Sequence, residues 1–340
     1  MKSGKKLVRL IAICTLLVFA LASFTACGTP AASTEKETPA AETPKAEEKK
    51  DAAAEDKKIK IGFSQCTMNH PWRVAMVDGN RKYAEENYKD VEFIATDGQN
   101  NASKQSSDIE DLIAQKVDVL IVSPLQSDAL TPAVKKAMDA GIKVVTADRK
   151  VETPVTLHIG GGNIVIGTLN ASYLNTKLNG KGNIIEIQGT AGASATVDRD
   201  KGFRDELAKY PGLKITATQY ADYLREPAMK FMEDTLQRFG PGEIQAVFAH
   251  NDEMALGALK AIEAAGRKDI LIVSADGQNE GIDAVKAGKL IQTVTYPFCA
   301  PEAIQYAYKL AKGEKLDEEI VLENKAINLE NVDQWVGKGF

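Results

Sequence analysis

The feature that most constrains the fold is a regular alternation of short apolar segments with amphipathic segments, beginning at Lys58. The stretch QAVFAHNDEMALGALKAIEAAG at 245–266 shows one unit, in which 246–249 has the pattern of a buried strand and 252–265 that of a helix. About five such units precede Gly160 and about five follow it. Short apolar strands joined by amphipathic helices are typical of parallel sheets with helices on both faces. The pattern predicts an α/β fold with two doubly wound parallel-sheet domains.

Polar residues come directly after several of the predicted strands. The segments that follow predicted strands are SQCTMNHPW at 64–72, ADR at 147–149, HND at 250–252 and SADGQ at 274–278. The carboxyl ends of parallel strands lie at one edge of a sheet, where α/β proteins bind ligands. The triplet at 250–252 is therefore better placed for a small molecule than for packing, and we expect these strand ends to converge on one ligand.

Several charged or amide residues at these positions suit a polyhydroxylated ligand. Asp148 can accept from two adjacent hydroxyls while Arg149 donates to others, although a surface ion pair would explain the same two residues. Asp276 can act in the same way from another strand end, and Asn251 offers a donor and an acceptor together. Arg199 lies in the first turn of a predicted helix and opposes the positive end of its dipole, so an anionic group or a hydroxyl cluster should compensate it.

The aromatic candidates have two interpretations each. Trp72 opens the first long helix, where its indole could stack on the apolar face of a sugar ring or simply pack in the core. Tyr223 could form a second stacking surface or ordinary packing. Arg73 could face the ligand or solvent, and His70 could be a turn residue before Pro71.

Motifs for catalysis, cofactors and metals are absent from the sequence. Gly160, Gly162 and Gly167 give GxGxxxxG rather than the dinucleotide-binding GxGxxG, so we interpret the glycines as an interdomain crossover. HExxH, GxSxG, paired CxxC and P-loop motifs do not occur, and the three histidines are far apart. A net charge of −5 with mixed signs does not favour nucleic acid. We therefore expect no enzyme activity, no cofactor and no metal.

The first 26 residues have the pattern of a signal peptide. Basic residues at 2, 5, 6 and 9 precede an apolar stretch at 10–22, and FTACG at 24–28 resembles the site at which bacterial lipoproteins are cut before a lipidated cysteine. An ordinary signal peptide is the alternative. We expect cleavage before Cys27, its lipidation, and a location at the extracytoplasmic face of the cell membrane.

Residues 27–57 are expected to form a disordered tether. From Gly28 onward this segment is mainly Ala, Glu, Lys, Thr and Pro, which cannot bury enough apolar surface to offset the entropy of ordering. Two cysteines remain in the folded part, Cys66 and Cys299, and the sequence leaves open whether they pair or stay free.

The folded part resembles the periplasmic ribose-binding and galactofuranose-binding proteins of sugar ABC transporters. The resemblance rests on GFSQ at 62–65 followed by Trp72-Arg73, TADR at 146–149, EIQGTAGASATVDRDKGF at 186–203, VFAHNDEMALGAL at 247–259 and ADGQNEG at 275–281. It implies two lobes joined by a three-segment hinge, the type I periplasmic binding protein fold. The N-terminal lobe would comprise 58–160 and 297–322, and the C-terminal lobe 161–296 and 323–340.

The resemblance also implies a set of sugar-binding residues. They are Trp72, Arg73, Asp148, Arg149, Arg199, Tyr223, Asn251 and Asp276, with His70 and Tyr296 as further candidates. The chain departs from ribose binders where His70 replaces an asparagine, Tyr296 replaces a glutamine, and Gly161-Gly162-Asn163 replaces Ser-Asp-Asn. Arg73, shared with the galactofuranose binder, and Tyr296 favour a hexose in furanose form over ribose, and a pentose stays open.

The function implied by the resemblance is that of a monomeric substrate-binding lipoprotein, which delivers a monosaccharide to an ABC permease and its ATPase. A sugar-type signal receptor of the same fold, coupled to chemotaxis or to a histidine kinase, is the first alternative. An α/β enzyme is the second, and the absent catalytic motifs disfavour it.

Overall fold

The structure is a computed structural model that describes residues 58–340. The expected signal peptide at 1–26, the lipidation site Cys27 and the tether at 27–57 lie outside the described residues. Among the helices of the described range, none combines the length and the apolar character needed to cross a bilayer.

Strands and helices alternate through most of residues 58–340. The strands are β1 (Ile59–Gln65), β2 (Val91–Asp97), β3 (Val119–Ser123), β4 (Lys143–Ala147), β5 (Leu157–Gly161), β6 (Gly182–Gln188), β7 (Leu213–Tyr220), β8 (Ala246–Ala249), β9 (Leu271–Asp276), β10 (Gln292–Thr295), β11 (Glu319–Leu322) and β12 (Ala326–Asn328). The α-helices are α1 (Pro71–Asn87), α2 (Ala102–Ala114), α3 (Ser127–Asp139), α4 (Asn163–Leu178), α5 (Ser194–Leu207), α6 (Arg225–Arg238), α7 (Asp252–Ala264), α8 (Asn279–Lys286) and α9 (Glu302–Ala311).

The strands form two six-stranded sheets. Their orders are β11-β5-β4-β3-β1-β2 and β12-β10-β9-β8-β6-β7. Every neighbouring pair is parallel except β10 and β12. In each sheet the chain winds first to one side of an inner strand and then to the other, with the reversal between β1 and β3 and between β6 and β8. Ligands of such sheets bind outside the strand ends at this reversal, and the predicted doubly wound α/β fold is confirmed.

The cores form because the inner strands are apolar on both faces. All four residues of β8 are buried, and they alternate between two helix layers. Val247 and Ala249 belong to the cluster that contains residues of α6 and α7, whereas Ala246 and Phe248 pack with residues of α4 and α5. This double burial explains why the strand reads as a continuous apolar run.

Glycine allows α4 and α5 to lie unusually close. A Cβ atom at Gly202 would lie 2.1 Å from the carbonyl oxygen of Ile164, and one at Gly167 would lie 2.2 Å from that of Arg199. The contact fixes the backbone of Arg199 against the neighbouring helix.

The chain passes between the two sheets three times, after β5, after β10 and after β11. Asn324, in the third crossing, joins all three: its Oδ1 accepts from the backbone N–H of Gly162 at 2.6 Å, and its Nδ2 donates to the carbonyl of Thr295 at 2.8 Å. Three adjacent crossings match the three-segment hinge that the resemblance implies. These three crossings are together called the hinge.

The sequence missed two features of the strands. It ended β1 at Phe63 and β9 at Val273, but Gln65 and Asp276 still pair with Ser123 and Thr295, because polar residues at a strand end satisfy the ladder as well as apolar ones. It also missed β11 and β12, which are short and partly exposed and so lack a clear apolar pattern.

Candidate ligand-binding site

One cavity at the carboxyl ends of both sheets gathers all the candidates. It contains about 300 Å³ of space free of protein atoms, part of which is open to solvent. Its lining consists of His70, Trp72, Arg73, Asp148, Arg149, Ala195, Arg199, Tyr223, Asn251, Asp276 and Tyr296. Ten of these are the ten sequence candidates, and Ala195 was missed because an alanine carries no chemical signal.

The carboxylate of Asp148 is already supplied with donors from the protein. Its Oδ2 lies 3.1 Å from Arg73 Nη2 and accepts from Ser123 Oγ at 3.2 Å, while its Oδ1 accepts from Tyr296 Oη at 2.8 Å. Arg73 is also held by Gln65, whose Oε1 accepts from Nη1 at 3.0 Å. Burial would raise the pKa of Asp148, but Arg73 and then Arg149 outweigh it, so the pKa lies below its usual value.

Arg149 is buried with one donor unused. Its Nη1 donates to the carbonyl of Leu125 at 2.8 Å, and the guanidinium lies 5.4 Å from the centre of the Tyr223 ring. Its Nε has no hydrogen-bond partner among the described residues, since Asp148 Oδ2 lies 3.7 Å away. A buried N–H without an acceptor is costly.

Arg199, in α5, is held by residues that lie beside the second sheet. Its Nε donates to Asn163 Oδ1 at 2.9 Å, and its Nη1 donates to the carbonyl of His250. The guanidinium lies 4.5 Å from the centre of the Tyr296 ring and 3.6 Å from Asp276 Oδ1. The arginine thus stands between an aromatic face and a carboxylate.

The carboxylate of Asp276, unlike that of Asp148, lacks hydrogen-bond donors within residues 58–340. No described residue donates a hydrogen bond to its carboxylate, and Arg199 at 3.6 Å is its nearest cation. Burial raises the pKa of Asp276 well above its usual value, although Arg199 opposes the effect. A carboxylate in this position gains most from donors that a ligand supplies.

His70 and Asn251 meet across the cavity. Asn251 caps α7 with its Oδ1, which accepts from Met254 N, and its Nδ2 lies 2.9 Å from His70 Nε2. The other ring nitrogen of His70 faces the backbone N–H of Trp72 at 3.2 Å. Burial, with a contribution from Arg73, lowers the pKa of His70 to about 4. A neutral imidazole carries a hydrogen on only one of its two ring nitrogens. Because both nitrogens face an N–H group, one contact is a hydrogen bond and the other brings two hydrogen atoms together.

The indole of Trp72 stacks on Tyr296. The ring centres are 5.3 Å apart with 21° between the planes, and Trp72 Nε1 donates to the carbonyl of Tyr296 at 3.0 Å. The guanidinium of Arg199 also lies 5.7 Å from the centre of the Tyr223 ring, and the hydroxyl of Tyr223 shares a 2.9 Å hydrogen bond with Thr196 Oγ1. Both phenol rings are therefore close to this guanidinium.

Three residues of the lining have strained backbones. Asp148, Tyr223 and Asp276 have φ values of 69°, 62° and 114°, in a region that residues with a side chain rarely adopt. Strain of this kind is retained where a site needs a particular side-chain direction. It aims both carboxylates of the lining.

The expectation for the triplet at 250–252 was partly wrong, because only Asn251 lines the cavity. His250 is fully buried behind it, with Nε2 3.1 Å from Glu186 Oε1. Asp252 accepts from Ser274, Thr293 and the backbone N–H of Gln278, and so orients the turn after Asp276. Residues next to a strand end can therefore point into the protein while their neighbour points to the ligand.

Other buried polar groups near the site also escaped the sequence analysis. Burial raises the pKa of Glu186 to about 8, with Asp200 adding to the effect. Cys66 and Cys299 are both free and buried, which settles the question of their pairing. Within residues 58–340 no cluster of side chains is suited to hold a metal ion.

Comparisons with known proteins agree with this architecture. A family model described as a periplasmic binding protein domain matches residues 61–315. The ribose import binding protein RbsB of Bacillus subtilis is 41% identical over 239 residues, covering 70% of this chain and 76% of its own length. A crystal structure of a galactofuranose binding protein is 29% identical with a TM-score of 0.79, covering 83% of this chain and 98% of that one. The fructose binding periplasmic domain of a hybrid two-component system is 31% identical with a TM-score of 0.78, covering 82% and 94%.

The pair formed by Arg73 and Asp148 yields a prediction about stability. Arg73→Met should lower the free energy of unfolding by about 3–5 kcal/mol, because it leaves a buried carboxylate without its closest cation. Urea denaturation measures the change. The double variant Arg73→Met/Asp148→Asn should recover much of the loss, and Lys82→Met on the exposed face of α1 is the control. Equal stability of Arg73→Met and the wild type would contradict a structural role for the pair.

Proposed function

The chain belongs to the periplasmic binding protein family, and on that premise we propose that it is the substrate-binding protein of a sugar ABC importer. The observation that carries the proposal is the composition of the cavity. Three buried guanidinium groups, two buried carboxylates and stacked aromatic rings surround one small space between two sheets. Charged groups that bind hydroxyls and flat rings that pack on C–H faces are what a sugar requires.

The unmet groups of the cavity define the chemistry of the ligand. Asp276 needs donors, and Arg149 Nε needs an acceptor. A hydroxyl is the group that can do both, so a polyol satisfies the two sides with one kind of substituent. A small cavity with this lining suits a monosaccharide, either a hexose, in furanose form among others, or a pentose.

Binding is coupled to closure of two lobes, with residues 58–160 and 297–322 in one and 161–296 and 323–340 in the other. Contacts that join these ranges include Ser127 N to the carbonyl of Gly192 at 3.0 Å and Lys150 N to Ser194 Oγ at 2.8 Å. Because Asp148 and Arg149 belong to one lobe, and Arg199 and Asp276 to the other, a sugar touches both only in the closed form. Because the sugar binds the closed form more tightly than the open form, it shifts the protein toward the closed form. The ABC permease and its ATPase then receive the closed, loaded monomer.

Release to a transporter, rather than a reaction, follows binding. The curated relative above is a binding protein. The lining contains no serine, cysteine or lysine nucleophile, and His70 is engaged by Trp72 and Asn251. We therefore propose a binding role, as in that relative, and expect neither enzyme activity nor a cofactor.

A sensor role is the second candidate. The fructose binding domain of a hybrid two-component system shares the fold and 31% of the aligned residues. Loss of sugar uptake when the gene is deleted favours the importer, and loss of a sugar-dependent transcriptional response without loss of uptake favours the sensor.

The protein is held at the extracytoplasmic face of the cell membrane by a lipid on Cys27, with residues 27–57 as the tether. The motif FTACG at 24–28 supports this location. The wild type and Cys14→Ser should incorporate labelled palmitate during growth, whereas Cys27→Ser should not, because the cysteine thiol is the group that is lipidated. Incorporation into Cys27→Ser at the wild-type level would argue against a lipid at this residue.

Calorimetric titration with a panel of monosaccharides and disaccharides tests the proposed function. A monosaccharide should bind, and Asp276→Asn should weaken it about 10- to 150-fold, since hydrogen bonds to a charged group contribute roughly 1.5–3 kcal/mol. Asp269→Asn is the control, since Asp269 is an exposed carboxylate that pairs with Arg267 and does not line the cavity. If no monosaccharide gives a heat of binding at millimolar concentration, the proposal is wrong. Unchanged affinity in Asp276→Asn would remove this residue from the site.

A further inference from the structure

Gly161 and Tyr296 fit each other, although 135 positions separate them in the sequence. A Cβ atom at Gly161 would lie 2.7 Å from Cε2 and 2.8 Å from Cδ2 of Tyr296. Carbon atoms do not approach this closely, so any residue other than glycine at 161 would have to displace the phenol ring.

Several contacts hold Tyr296 in place. Trp72 stacks against it with ring centres 5.3 Å apart, and the guanidinium of Arg199 lies 4.5 Å from its centre. Its backbone N–H donates to the carbonyl of Asp276 at 3.0 Å, and its own carbonyl accepts from Trp72 Nε1 at 3.0 Å. Only 3% of the residue is exposed. A ligand therefore meets Tyr296 as a fixed wall beside the hinge.

The hydroxyl of Tyr296 uses an acceptor that a sugar would otherwise have. It donates to Asp148 Oδ1 at 2.8 Å and accepts from Asn163 Nδ2 at 3.1 Å. Asp148 Oδ2 is engaged by Arg73 and Ser123. At the hinge end of the cavity, an additional ligand hydroxyl would therefore find few free acceptors. The carboxylate of Asp276, by contrast, receives no hydrogen bond from the described residues.

Building on the proposed sugar-binding function, we infer that the pair Gly161–Tyr296 shortens the site at its hinge end. The protein therefore selects a pentose over the hexose that differs from it only by one hydroxymethyl group. The extra group would meet the phenol ring, and its hydroxyl would have to share Asp148 Oδ1 with the hydroxyl of Tyr296. A buried hydroxyl without a partner is disfavoured, and a group of one carbon more or less changes recognition about 10- to 200-fold. Of the two ligand classes that the sequence leaves open, the geometry points to the smaller.

Homologous sugar pairs test the inference without changing the stereochemistry of the ring. The pairs are D-ribose with D-allose, L-arabinose with D-galactose, and D-xylose with D-glucose, in which the pyranose forms differ by the hydroxymethyl group alone. Calorimetric titration of the full chain should give, for whichever configuration binds, a dissociation constant at least about tenfold lower for the pentose.

The double variant Gly161→Ser/Tyr296→Gln tests the cause of the preference. It should lower the ratio of hexose to pentose dissociation constants by about tenfold or more, because it opens the hinge end and frees Asp148 Oδ1. Tyr296→Gln alone removes the ring without introducing a clash, and it should shift the ratio in the same direction if the double variant does not fold. Tyr220→Gln and Gly240→Ser, at positions away from the cavity, are the matched controls and should leave the ratio unchanged.

The outcomes separate the inference from the function on which it rests. Equal or tighter binding of the hexose by the wild type would overturn the inference and leave the proposed function intact. Equal weakening of both sugars in the variants would also overturn it, since Tyr296 would then support the site without selecting the ligand. If neither member of any pair binds, and no other sugar does, the proposed function itself fails.

Discussion

The site depends on taking three guanidinium groups and two carboxylates out of water in one small space. Such groups are stable in a protein interior only when hydrogen bonds and opposite charges replace the lost hydration. Here the replacement is unequal: Asp148 receives donors from Arg73, Ser123 and Tyr296, whereas Asp276 receives none from the described residues and Arg149 Nε finds no acceptor. Under the proposed function, a polyol would supply the donors and the acceptor that these two side chains lack.

The two doubly wound sheets bring these groups together. Each candidate carboxylate stands at the carboxyl end of a parallel strand, and the two sheets direct these ends toward one cavity. Close helix packing through Gly167 and Gly202 fixes Arg199, and positive φ angles at Asp148 and Asp276 aim their side chains. The strain at these two residues costs stability, so the scaffold has to over-determine their conformation.

The sequence was sufficient for the order of the elements and for the residues that line the cavity, but not for the partners of each side chain. Strand ends can be recognised from apolar runs, and this placed Asp148 and Asp276 at strand ends that meet at one cavity. The donor that reaches Asp148 Oδ1 comes from Tyr296, 148 positions away, and the fit of Tyr296 depends on Gly161. Contacts between such distant positions leave no periodic pattern. The same limit explains why Asp252 was expected beside Asn251 in the site, although it points into the core.

The central claim is that the sugar completes a cleft which closes poorly without it. Small-angle X-ray scattering of the protein with and without a saturating monosaccharide tests this claim most directly. The account predicts that the radius of gyration falls on addition of the sugar and that the scattering curve then fits the closed arrangement described here. Identical curves with and without a sugar that demonstrably binds would contradict it.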